Sequence, residues 1–161
     1  MAIPDWLDET ESRAWKGYVL TRDRLAAAIG RDLARESDLT FVEYHVLASL
    51  HSTPQHRMGL SELADTLQWS QSRLSHQITR MERRKLVARE SATRDARCSD
   101  AVLTETGLET LRNAAPGHIA SVRKHFIDNL DDAQLATLAD TFDTLLKYLT
   151  GGEPGPSPQN T

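Results

Sequence analysis

Cysteine is nearly missing from this sequence: Cys98 is the only one in 161 residues. A lone thiol excludes an intrachain disulfide framework and any zinc site built from several cysteines. Long apolar runs are missing as well, so no segment reads as a membrane-spanning helix. The N-terminus, MAIPDWLDET, is acidic and lacks the basic and apolar regions of a secretory signal, which points to a cytoplasmic location. There is no glycine-rich phosphate loop, no nucleophile elbow and no pair of carboxylates in a catalytic setting, so the expectation is a protein that is not an enzyme. No cofactor is expected, and no metal, because the six histidines show no tight ligand spacing.

What is present is ordinary in amount and unusual in distribution. Hydrophobic content of 39% and charged content of 26% suit one globular domain, or a small domain with an oligomerisation element attached. The formal net charge is −4. From Gln71 to Arg97, however, eight basic residues (Arg73, Arg80, Arg83, Arg84, Lys85, Arg89, Arg94, Arg97) face only Glu82, Glu90 and Asp95. That segment carries +5 and leaves −9 on the rest, the footprint of a basic module made for a polyanion.

Periodicity supplies the geometry. At about 100° per residue, Leu74, Ile78 and Met81 share one narrow helix face. Ser72, His76, Thr79, Arg80 and Arg83 occupy the opposite face, with Arg73 and Ser75 at its edges. A solvated helix more often mixes Glu with Lys there; this outer face carries no acid. Ser70 is placed to cap the helix, and Gln68-Trp69 forms the turn before it. A short helix, Leu60 to Leu67, comes first, with Leu63, Ala64 and Leu67 inward. Two strands follow, Leu86 to Glu90 and Ala101 to Leu103, around the basic loop ATRDARCSD. The pattern is a helix-turn-helix with a β-hairpin wing, which sets one helix in the major groove of double-stranded DNA and a basic loop beside it.

The flanks are helical. One amphipathic helix is expected from about Glu9 to Arg35. Another starts at Thr40, which has capping-box spacing with Glu43. His51 to Gly59, containing Pro54, reads as a loop. A long helix from Thr104 to Asn129 should kink at Pro116-Gly117. Asp131 and Gln134 have capping-box spacing for a last helix that Gly151 stops. The fold class is mainly α with a small β-hairpin wing. Residues 1–36 form an N-terminal dimerisation helix, 37–104 the winged helix-turn-helix, 105–150 the C-terminal dimerisation helices, and 151–161 a disordered tail. The flanking helices hold more apolar residues than one side of a module of about 70 residues can cover, so a symmetric homodimer is expected.

With these elements in order, the chain resembles the MarR family of winged-helix transcriptional regulators, from about Trp15 to Leu149. Its LADTLQWSQSRLSHQITRMERRKLVAR is similar to the family's helix-turn-helix. Its wing reads Asp95-Ala96-Arg97, then a short strand, then Leu103-Thr104-Glu105-Thr106-Gly107, matching D-x-R and L-T-x-x-G. The resemblance implies a triangular dimer and a recognition helix from Ser70 to Arg84. Ser72, Arg73, Ser75 and His76 then read base edges, with Ser70 and Gln71 at the DNA-facing end. Arg80, Arg83 and Arg94 contact phosphate, and Arg97 enters the minor groove, held by Asp95. It further implies a repressor on a pseudo-palindromic operator, released by a small ligand such as a phenolic or aromatic acid. Trp15, Tyr18, Arg22 and His45 come from the elements around that cleft but serve equally as core or surface, so no effector site is assigned.

Two positions depart from the family pattern. Gly often stands where this chain has Gln68 and Lys85, and those sites tend to need a positive φ. Cys98 has two readings: a redox sensor with a thiol lowered by Arg97, or simply a small wing residue. A DNA-binding architectural protein without an effector is the other alternative.

Overall fold

The computed structural model describes residues 7–92 and 98–151. It forms two compact units, one ending at Ser121 and one beginning at Val122. Thr93 to Arg97, which carry the expected contacts of Arg94, Asp95 and Arg97, lie outside the described residues, as does the expected disordered tail beyond Gly151.

In the first unit, α1 (Glu9–Ser37) starts on a capping box that the sequence reading did not register: Asp8 accepts the Glu11 N–H and Glu11 accepts the Asp8 N–H, both at 2.8 Å. It ends at Asp38, whose φ of 53° is left-handed and turns the chain. Helix α2 (Phe41–His51) begins on the expected Thr40–Glu43 capping box. Next come β1 (Arg57–Gly59), α3 (Leu60–Leu67), α4 (Gln71–Arg83), β2 (Val87–Ser91), β3 (Ser99–Leu103) and α5 (Glu105–His125). Leu39, Val46, Leu47, Leu50, Leu63, Leu74, Ile78 and Met81 are fully buried, so the core sits between α2, α3 and α4. The Leu74–Ile78–Met81 stripe of the sequence reading is therefore the buried face of α4.

The strands make one antiparallel sheet in the order β1-β3-β2. Val87 pairs with Leu103 and Ser91 with Ser99, while Arg57 pairs with Val102 and Gly59 with Asp100. The hairpin thus extends further toward its tip than the expected Leu86–Glu90 and Ala101–Leu103. Strand β1 corrects the reading of His51 to Gly59 as loop. Three residues are too few to show an alternating pattern, and β1 exists because β3 offers it an edge.

The motif Leu103-Thr104-x-x-Gly107 ties this sheet to α4 and α5. The Thr104 hydroxyl donates to the carbonyls of Lys85 (2.6 Å) and Leu86 (3.0 Å) and accepts the Gly107 N–H (2.9 Å). A Cβ on Gly107 would overlap the Leu86 carbonyl oxygen, so only glycine allows this approach. Helix α5 runs unbroken through Pro116 and stops at His125, rather than continuing to Asn129.

The second unit holds the end of α5, a single 3-10 turn (Ile127–Asn129) and α6 (Asp132–Leu149). Arg123 bonds Asp128, and the Asn129 amide donates to the Lys124 carbonyl, which ends the helix early. Helix α6 opens on the expected Asp131–Gln134 capping box and buries no residue. Gly151 follows it with φ 101°, in line with its reading as a stop.

Candidate nucleic-acid interface

The turn between α3 and α4 is built from backbone. Gln68 caps α3 in the left-handed region (φ 55°), and the Trp69 N–H donates to the Ala64 carbonyl at 2.9 Å. Lys85 also has a positive φ, 60°. Both positions where glycine was the expected alternative therefore require the conformation that glycine adopts freely. Ser70 caps α4 as expected, its hydroxyl accepting the Arg73 N–H at 3.2 Å.

Helix α4 carries Gln71, Ser72, Arg73, Ser75, His76, Arg80 and Arg83 exposed, with Ser70 exposed ahead of them. Its first turn contains no acid. Thr79, assigned to the outer face, is half-buried: it donates to the Ser75 carbonyl and accepts from Arg89. Arg80 donates to the Gln77 side chain at 2.7 Å, and the Arg73 guanidinium lies 4.4 Å above the centre of the Trp69 ring.

Not every arginine of the basic segment faces outward. Arg89 on β2 turns back to α4, reaching Glu82, the Ser75 carbonyl (2.9 Å), the Ser75 hydroxyl (3.3 Å) and the Thr79 hydroxyl (3.1 Å). It fixes the root of the wing against the recognition helix and engages Ser75, one of the expected base readers. Arg84 binds both oxygens of buried Glu43 at 2.8 and 2.9 Å and reaches the Asp38 carbonyl and carboxylate. Arg57 on β1 joins Asp100 (3.0 Å) and Glu90 (3.3 Å), tying all three strands together. The sequence reading placed Trp69 in the turn but missed its contact with Arg73, and it missed Arg57 and the inward roles of Arg84 and Arg89. Partners 41 residues apart, as for Arg84 and Glu43, leave no periodic signal.

A cavity of about 210 Å³ lies between α1 and α5, lined among others by Leu33, Glu36, Ser37, Asn113 and His118. The His118 ring packs at a tilt against Tyr44, centroids 4.1 Å apart, and among the described residues its buried Nδ1 has no hydrogen-bond partner. Burial, and then the proximity of His45, lower the His118 pKa below the usual imidazole range. Burial raises the Tyr44 phenol. Trp15, Tyr18 and Arg22 lie along α1 with their rings and guanidinium 5.7 to 5.8 Å apart, and none of them lines this cavity. Among the described residues no helix is long and apolar enough to cross a membrane.

A capped helix with no acid in its first turn, set after a tight turn and backed by a three-stranded sheet, defines a winged helix-turn-helix protein. The family follows from likeness. The sequence model of the MarR family matches residues 39–99. AbsC of Streptomyces coelicolor, a MarR family transcriptional regulator, is 42% identical over 92% of this chain and 99% of its own, with a TM-score of 0.84. Sco3205 of the same organism, a MarR family regulator crystallised in complex with DNA, is 32% identical over 98% and 97%, with a TM-score of 0.83. A mutant MarR from E. coli complexed with operator DNA shares the fold at a TM-score of 0.76 with 18% identity, over 89% and 99%. No curated protein sequence matches. The chain belongs to the MarR family of transcriptional regulators.

Proposed function

We propose that this regulator represses transcription as a homodimer bound to a pseudo-palindromic operator, and that a small ligand releases it. The observation that carries the DNA reading is the exposed face of α4, where Ser72, Arg73, His76, Arg80 and Arg83 project without an acidic neighbour in the first turn. Short hydroxyl side chains let the helix approach base edges, and arginines further along reach phosphate. On this reading Arg94 adds a phosphate contact and Arg97 extends the interface to the minor groove, with Asp95 steadying Arg97. The relative Sco3205, crystallised with DNA, supports the reading. Repression by occupancy takes place beside the chromosome, in the cytoplasm.

The dimer rests on apolar side chains left in the open: Trp15, Tyr18 and Leu20 on α1, and Leu145, Leu146 and Leu149 on α6. Large apolar surfaces of this kind mark association sites, which supports 1–36 and 105–150 as dimerisation elements flanking the DNA-binding residues 37–104. Two recognition helices about one DNA turn apart then read two half-sites. The cavity between α1 and α5 offers a ligand a place from which to shift that spacing.

Selection of duplexes from a randomised pool tests the DNA reading. A two-fold-symmetric motif is expected, with affinity that falls steeply as salt rises; recovery of no motif would overturn it. Arg97→Ala should weaken binding to the selected duplex sharply, and unchanged binding would refute the wing assignment. A monomer at micromolar concentration in sedimentation would refute the dimer.

A further inference from the structure

We infer that Trp69 is the positioning residue for Arg73, setting that arginine in one orientation for base reading before DNA arrives. The inference rests on the proposed DNA-reading role of α4. Arg73 stands in the first turn of α4, where it is exposed and its backbone N–H is held by the Ser70 hydroxyl at 3.2 Å. Its guanidinium carbon sits 4.4 Å over the Trp69 ring centre. Trp69 is itself tied down: its backbone N–H donates to the Ala64 carbonyl at the end of α3, and the residue is half-buried. Arg73 is thus anchored at both ends, by the cap at the backbone and by the indole at the tip.

The chemistry of the stack explains why anchoring suits reading. An indole is the best aromatic partner for a cation, and it engages the flat face of the guanidinium. The N–H donors radiate in the guanidinium plane, so stacking orients them without consuming them. A bidentate contact to guanine O6 and N7 needs that planar fork in a defined pose. Carboxylates would fix an arginine equally well but would occupy its donors, as Glu43 does for Arg84. No acid stands in the first turn of α4 to compete. An exposed arginine carries considerable rotamer freedom, which the stack removes ahead of binding. Trp69 acts through Arg73 and sharpens base preference rather than general affinity for DNA.

The test uses the full-length chain and the duplex that it selects from a randomised pool, together with that duplex's single-base-pair variants. Binding is measured for the wild type, Trp69→Ala, Trp69→Phe, Arg73→Ala and the Trp69→Ala/Arg73→Ala double variant, with thermal melts to establish that each is folded. Trp69→Ala should weaken the selected duplex about tenfold and flatten preference at one base pair per half-site. Trp69→Phe, which keeps an aromatic face, should recover most of this. In the Arg73→Ala background, Trp69→Ala should cost less than twofold more. An equal loss from Trp69→Ala with and without Arg73 would overturn the inference, since Trp69 would then act on the fold or on DNA itself. If Arg73→Ala flattens the preference and Trp69→Ala does not, the positioning role fails while the reading of bases by α4 stands. If Arg73→Ala changes nothing, Arg73 reads no base and the inference fails; recovery of no motif from the pool would instead overturn the reading of bases by α4.

Discussion

The outer face of α4 and the frame behind it are built from the same side chain and use it in opposite ways. On the face, Arg73 stacks on an aromatic ring and Arg80 leans on a neutral amide. In the frame, Arg84, Arg89 and Arg57 are each closed onto carboxylates: Glu43 and Asp38, Glu82, and Asp100 with Glu90. A surplus of positive charge along the sequence is therefore not a surplus of available charge. What separates the two roles is the neighbour that the fold delivers. Carboxylates arrive at the frame from α2, the α1–α2 turn, the last turn of α4 and the sheet, whereas the first turn of α4 has none.

This contrast predicts that damage to the frame lowers stability, whereas damage to the face lowers DNA affinity alone. Gly107→Ala should be the most harmful, because its Cβ would overlap the Leu86 carbonyl. A loss of about 3 kcal/mol is expected in urea unfolding. Arg84→Ala should follow, at about 2 kcal/mol, since Glu43 is left buried with only the Thr40 N–H and hydroxyl as partners. The partial exposure of Arg84 keeps the figure below that of a fully buried pair.

Lys85→Gly should move the other way, gaining about 1 kcal/mol by relieving a left-handed backbone at φ 60°. Arg83→Ala on the exposed face should change stability by less than about 0.5 kcal/mol. It should nonetheless reduce the slope of log affinity against log salt by about one, as loss of a phosphate contact does. An Arg83→Ala protein that melts early, or an Arg84→Ala protein that melts normally, would break the distinction.

The smallest effect lies away from both regions, at His118. Its pKa is lowered in the folded chain by burial and by His45, so below about pH 6.5 the unfolded chain binds more protons. Stability should be complete above that pH, fall as pH drops through it, and level off below the folded pKa. His118→Phe, which keeps a ring against Tyr44, should show a weaker fall in melting temperature between about pH 7.5 and 5.5. An identical pH profile would show that His118 does not titrate with unfolding.

Most of the fold was legible because its signals are local. The Thr40–Glu43 and Asp131–Gln134 boxes and the Ser70 cap each span a few residues, and the 3.6-residue period of Leu74, Ile78 and Met81 needs one helix only. The Thr104–Gly107 motif was legible as a pattern, but its reason, a hydroxyl bridging to the turn at Lys85 and Leu86, came from the tertiary structure. Strand β1 was not legible, since its pairing partner lies more than 40 residues ahead. Thr79 was placed on the outer face by its angle, yet Arg89 reaches across from the wing root and covers it.

The sequence by itself determined the helices, the capped recognition helix and which of its faces is apolar, because these follow from backbone caps and helical period. The positive φ of Gln68 and Lys85 was anticipated only through the resemblance to the MarR family, whose members often carry glycine there. Only the tertiary structure decided which arginines remain available. That choice depends on carboxylates brought from distant segments, and a charge closed onto a buried carboxylate is lost to DNA whatever its place in the sequence.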